Sequence, residues 1–154
     1  MGTTLLDGVK VTRVMNAVAA GTTVQNSAGV DMLGFQGVVF VASFGALTAN
    51  QVTSIQAQHA DAMAANGLLT TPGNLTGTLV GPLADNASNK CLMLDINRPT
   101  KRYVGCTVNR ATANAVIDGV IAIQYGADYK PTTQDATTFP VASEIHVSED
   151  TGTA

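Results

Sequence analysis

Gly34-Phe35-Gln36-Gly37-Val38-Val39-Phe40-Val41-Ala42-Ser43-Phe44-Gly45 is the stretch that decides the fold. Side chains alternate across a strand, so Val38, Phe40, Ala42 and Phe44 face one side while Val39, Val41 and Ser43 face the other. Both faces are largely apolar. That places the strand in the middle of a sheet, or sets one of its faces against another subunit. The glycines Gly34, Gly37 and Gly45 mark its ends or a bulge.

Downstream, residues 52–58 read as a weaker strand with polar Thr53, Ser54, Gln56 and Gln58. The alanine-rich residues 57–66, closed by Gly67, predict a helical turn or two, the one helix candidate in the chain. A Pro-Gly turn over residues 70–73 then precedes a short strand at 75–80. Three strands follow at 90–96, 101–109 and 115–125 and read as an antiparallel meander. Asn97-Arg98-Pro99-Thr100 has the length and chemistry of a hairpin between the first two. Upstream, residues 9–14 form a first strand and 23–26 a second. After Gly126 apolar periodicity stops, and Pro131 and Pro140 point to an extended arm that ends in an edge strand at 141–147.

Seven or eight short strands punctuated by Gly, Pro and Asn predict an all-β chain, a β-sandwich or β-tulip-like barrel of antiparallel strands with at most one short helix. The 154 residues make a single domain, 1–154, with terminal segments of about 1–8 and 128–154 that are flexible or order on a partner.

Composition narrows the function classes. Hydrophobic residues make up 45% and charged residues 12%, about half the usual charged share, which excludes a disordered chain and a coiled coil. A net charge of -3 counts against nucleic acid as a partner. The start lacks a basic segment followed by an apolar one, and the longest apolar run is far short of the roughly 20 residues of a membrane span, so we expect a soluble chain made in a cytoplasm, with no membrane partner.

No catalytic constellation is legible. His59 and His146 sit beside no triad or metal signature and read as exposed turn or strand residues. Cys91 and Cys106 belong to no Cys-x-x-Cys or Cys/His cluster; they read as buried free thiols on strands close enough to leave a disulfide open. Asp118 interrupts an apolar strand and has three readings: a cap on an Asp-Gly turn, a cross-strand partner of Arg102 or Arg110, or a catalytic carboxylate. Walker loops, nucleophile elbows and dinucleotide fingerprints are missing. The expectation is a protein that is not an enzyme and carries no cofactor or metal.

The densest basic stretch is Arg98-Pro99-Thr100-Lys101-Arg102-Tyr103, with Arg110 downstream. It reads either as structural hairpin charge or as an electrostatic contact to an acidic partner surface, with Arg98, Lys101, Arg102 and Tyr103 as the partner-binding residues.

Taken with residues 34–40 and Ala122-Ile123-Gln124-Tyr125-Gly126-Ala127, this basic stretch resembles the small head decoration, or cement, proteins of tailed bacteriophages, over roughly residues 33–131. The resemblance implies a β-sandwich or β-tulip domain on the outer capsid surface of a virion. It also implies that the major capsid protein is the partner and that the chain self-associates, as a trimer. Other classes would be a phage tail or tube subunit, or a receptor- or carbohydrate-binding module. The latter is disfavoured by 5% aromatic content without Trp.

Overall fold

The computed structural model describes residues 4–84, 88–134 and 142–144. Within them a one-turn helix, α1 (Leu5–Gly8), precedes twelve strands: β1 (Lys10–Met15), β2 (Val18–Gly21), β3 (Gln25–Asn26), β4 (Val30–Asp31), β5 (Gly37–Leu47), β6 (Val52–Ala60), β7 (Ala62–Met63), β8 (Leu69–Thr70), β9 (Gly73–Asn74), β10 (Cys91–Asn97), β11 (Tyr103–Ala111) and β12 (Ala115–Tyr125).

Two antiparallel sheets hold most of these strands. The first runs β1-β12-β5-β10, with β2 also on β12; the second runs β3-β11-β6-β9, with β4 also on β11; β7 and β8 form a separate hairpin. The chain is therefore all-β, as its alternation predicts, and it is a sandwich with free edges rather than a closed barrel.

Period-two patterning explains which faces meet. Phe40 and Phe44 on β5 and Ile117 and Val120 on β12 are buried against Ile55 on β6 and Val104 and Val108 on β11. Each such side chain contributes roughly 1.5–3 kcal/mol by leaving water. Gln124, on the buried face of β12, keeps its amide satisfied by donating Nε2 to the Asp31 carbonyl at 2.7 Å.

The expected meander is corrected. β10 pairs with β5, β11 with β6, and β12 with β5, so none of the three pairs with another of them. Residues 98–102 do not close a hairpin; they carry the chain across the roughly 10 Å between stacked sheets. Arg98, at φ 51, turns the backbone there, and Pro99 follows without an N–H to satisfy.

The alanine-rich helix is corrected too. Residues 57–60 continue β6, because Ile55 and Ala57 alternate with Gln56 and Gln58 and the small side chains face the core. The chain then reverses through the β7-β8 hairpin, where Gly67 at φ 84 serves a turn and donates its N–H to the Ala64 carbonyl at 2.9 Å.

Residues 75–80 do not form the expected strand. They run beside β6 through a turn, in which Thr78 Oγ1 donates to the Leu75 carbonyl at 2.7 Å, to a single bridge between Val80 and Ile55. The expected second strand is shorter at Gln25–Asn26 and is preceded by an unforeseen one at Val18–Gly21.

Residues 128–134 of the arm fold back onto the start of the chain. Thr132 Oγ1 donates to the Val9 carbonyl at 2.6 Å, and Gln134 accepts from Val11 N and donates to the Val9 carbonyl, both at 2.9 Å. The edge strand expected at 141–147 and His146 lie outside the described residues, apart from 142–144, which are not in a strand.

Candidate partner-binding surface

The four basic-stretch residues come together at one end of the sandwich, where the crossing from β10 to β11 meets the segment after β4. Met32, Leu33, Phe35 and Gln36 on one side and residues 98–102 on the other line a groove of about 470 Å³. Two backbone bonds fasten its walls: Arg98 N donates to the Gln36 carbonyl at 2.7 Å and Met32 N to the Arg102 carbonyl at 2.8 Å.

Electrostatics divide the cations. Arg102 grips Asp31 bidentately, Nε to Oδ1 at 2.8 Å and Nη2 to Oδ2 at 2.7 Å, with its guanidinium 5.2 Å from the Tyr103 ring centroid. That grip holds the Asp31 carboxyl below the usual carboxylate range, helped by the Leu33 N–H on Oδ1, and it raises the pKa of Arg102. Lys101 Nζ donates to Asp61 Oδ2 at 2.8 Å. Arg98 is exposed and, among the described residues, has no carboxylate partner. Among the described residues the groove itself is thus lined by one cation without a carboxylate partner, Arg98, and by Leu33, which is 70% exposed. Lys10 borders Leu33 from the β1 side, likewise without an ion pair among the described residues, and its charge also lowers the Asp31 carboxyl.

Leu33 and Asp31 were not singled out by sequence reasoning. The available signal was Leu33 directly before Gly34, a residue suited to a turn; in the structure Gly34 is left-handed at φ 83 and Leu33 is exposed.

Arg110 does not join this surface. It lies near the opposite end of β11, is 3% exposed, and donates to the Thr23, Ala19 and Ala115 carbonyls at 2.9, 2.9 and 2.7 Å and to Thr23 Oγ1 at 3.3 Å. It staples the connection between β2 and β3 to β11 and β12.

Other expectations resolve one at a time. Asp118 is exposed and pairs with neither Arg102 nor Arg110; Asp118-Gly119 forms a bulge in β12 against β5 instead of a turn, with Gly119 at φ 155. His59 is a half-buried strand residue of β6, with Nδ1 3.5 Å from Thr100 Oγ1. The cysteines do not share a sheet: Cys106 is buried on β11, where burial pushes its thiol up to about 12, whereas Cys91 is exposed on β10, contrary to the buried-thiol expectation. Among the described residues no three His, Cys, Asp or Glu side chains converge as metal ligands, and no helix is long and apolar enough to cross a membrane.

The second apolar face of β5 is explained by position. The strand is central, between β12 and β10, and its outward Val39 and Val41 sit in rows with Ile123 and Ile121 of β12 and Met93 of β10. Met93 is 65% and Ile121 42% exposed, so this outer sheet face is an apolar stripe uncovered among the described residues.

No protein-family model matches the chain, and no curated protein matches it significantly.

Proposed function

We propose that the chain is a non-enzymatic structural protein of a tailed-phage virion that binds the outside of the capsid by contacting the major capsid protein. The observation that carries this reading is the groove end, where exposed Arg98 and Leu33 stand on a sandwich rim and the other two cations lining the groove, Lys101 and Arg102, are already paired. The choice of a phage shell as partner comes from the resemblance of residues 33–131 to head decoration proteins. A cation and an apolar side chain on one rim suit an acidic protein surface with an apolar recess, and fixed elements keep the ordering cost of binding low. Binding the assembled lattice but not free capsomers would stabilise the shell by linkage.

The test substitutes Arg98 and Leu33 and not Arg102, because reversing the charge of Arg102 would also place two carboxylates together at Asp31. The test is sedimentation of phage heads on a density gradient with the protein quantified against the major shell subunit. Co-migration at a fixed high ratio, lost in a folded Arg98→Glu, Leu33→Asp variant, is expected. Absence from heads, or a few copies tracking with tails, overturns the reading in favour of a tail subunit.

A further inference from the structure

The hydrogen-bond parity of β10 exposes something the groove does not use. Phe44 N donates to the Lys90 carbonyl and Arg98 N to the Gln36 carbonyl, and both pairs continue the β10-β5 register. Bonded pairs in an antiparallel ladder recur every second residue, so Leu92, Leu94 and Ile96 bond to β5. Cys91, Met93, Asp95 and Asn97 direct their backbone N–H and C=O groups outward instead. Among the described residues nothing bonds those outward groups.

Most of the usual guards of a free edge are missing from this one, and its single charged residue, Asp95, accepts from the Tyr125 hydroxyl. β10 has no Pro, no Lys and no bulge against β5, and it reads Cys-Leu-Met-Leu-Asp-Ile-Asn. The opposite edge of the same sheet is treated differently: on β1, Val11 N and the Val9 carbonyl just before the strand are occupied by Gln134 and Thr132 of the chain's own arm. Among the described residues, one edge is closed by its own chain and the other is left unpaired.

We propose that β10 pairs antiparallel with β10 of a second copy across a twofold axis at Leu94, joining two five-stranded sheets into one. The occupant follows from self-complementarity. In this register Cys91 lies opposite Asn97 and Met93 opposite Asp95 of the other copy, and all four outward residues on each strand are used, for up to about eight backbone hydrogen bonds. A slip of one residue sets these outward groups opposite residues whose N–H and C=O are already bonded to β5. A slip of two residues one way sets Asp95 against Asp95, and the other way leaves an outward residue unpaired. At the axis the two exposed Met93 side chains meet on one diagonal and the two Asp95 side chains on the other, and the row through Ile121, Val41 and Met93 continues onto Asp95 and Val39 of the other copy.

The pairing does not rest on the shell reading: the Arg98→Glu, Leu33→Asp variant is expected to lose heads and remain a dimer. The test is sedimentation equilibrium of the whole chain, wild type and Met93→Pro. Proline removes an outward N–H and no bond to β5, so the variant is expected to keep its circular dichroism and fall twofold in mass. A monomeric wild type, or a dimer or trimer unchanged in folded Met93→Pro, overturns the proposal. Should Met93→Pro not fold, Asn97→Cys decides. Mild oxidation is expected to give a covalent dimer in which Cys91 of one copy is linked to the introduced thiol of the other, identified by peptide mass. No cross-link, or one that joins the same position in both copies, overturns it.

Discussion

Two arginines on one strand or its immediate flank, Arg110 and Arg102, do opposite work at the two ends of the sandwich. Arg110 is buried and, among the described residues, bonds only to neutral oxygens, the Ala19, Thr23 and Ala115 carbonyls and the Thr23 hydroxyl. Arg102 is exposed, bonded to a carboxylate that is itself partly open to water. Inside, a guanidinium is worth its desolvation only because its fork meets several acceptors at once, and those acceptors depend on it. Outside, the same fork is screened by salt and replaceable by water. The difference separates a residue that holds the fold from one that shapes a surface, although only eight positions separate them in sequence.

The largest expected effect comes from breaking the buried end. Arg110→Ala leaves three carbonyls without their charged donor and is expected to cost about 3 kcal/mol, even after the desolvation of the guanidinium is regained. The shift in urea midpoint at constant slope measures it. Arg110→Lys is expected to recover part of the loss, since an ammonium can reach one or two of those oxygens but lacks the planar fork. A cost near zero for Arg110→Ala would place the residue in the same class as Arg102.

An intermediate effect is expected where the outer sheet reaches the groove end. Tyr125 lies opposite Gly37 on β5, its ring occupying the space a Cβ there would need, and its hydroxyl donates to Asp95 Oδ1 at 2.7 Å. That bond, with some burial, pushes the phenol up to about 12. Gly37→Ala displaces the ring and is expected to cost about 1 kcal/mol and return the phenol toward 10, its ordinary value, read by ultraviolet titration at the tyrosinate band. The sign for the wild type follows: the phenol's contribution to stability is complete below pH 10 and lost as pH rises through 12. An unchanged titration in Gly37→Ala would mean the ring keeps Asp95 without the glycine.

This asymmetry also explains what could be read from the chain itself. β5 and β12 were legible because runs rich in Val, Ile and Phe, apolar on both faces and bounded by Gly, leave few alternatives to a strand in the middle of a sheet. β6 was misread past Ala57 because alanine favours helix intrinsically, and only the tertiary demand for small side chains against the core holds it extended. Partner choice among strands was illegible for a different reason. Successive long strands alternate between sheets, so β10 pairs with β5 some fifty residues back, and no local signal carries that. The basic stretch and Arg110 were found, but their division into paired Lys101 and Arg102, an Arg98 without a carboxylate among the described residues, and buried Arg110 depends on Asp61, Asp31 and the Ala19 and Thr23 carbonyls, all far away in sequence, as well as the nearby Ala115 carbonyl.

The smallest effect sharpens the exposed side of the comparison. Because Arg102 holds the Asp31 carboxyl below its ordinary 3.8, the unfolded chain binds a proton there at a higher pH than the folded one does. The stability this contact contributes is therefore present above pH 3.8 and is lost as pH falls through the lowered folded value. Arg102→Ala is expected to change the urea midpoint at neutral pH less than either substitution above, and to flatten the acid limb of stability against pH. Molar salt is expected to reproduce that flattening in the wild type by screening the pair. Arg110→Ala should leave the acid limb alone, since none of its four bonds involves a carboxylate. An acid limb that responds to Arg110 and not to Arg102 would reverse the assignment of the two ends.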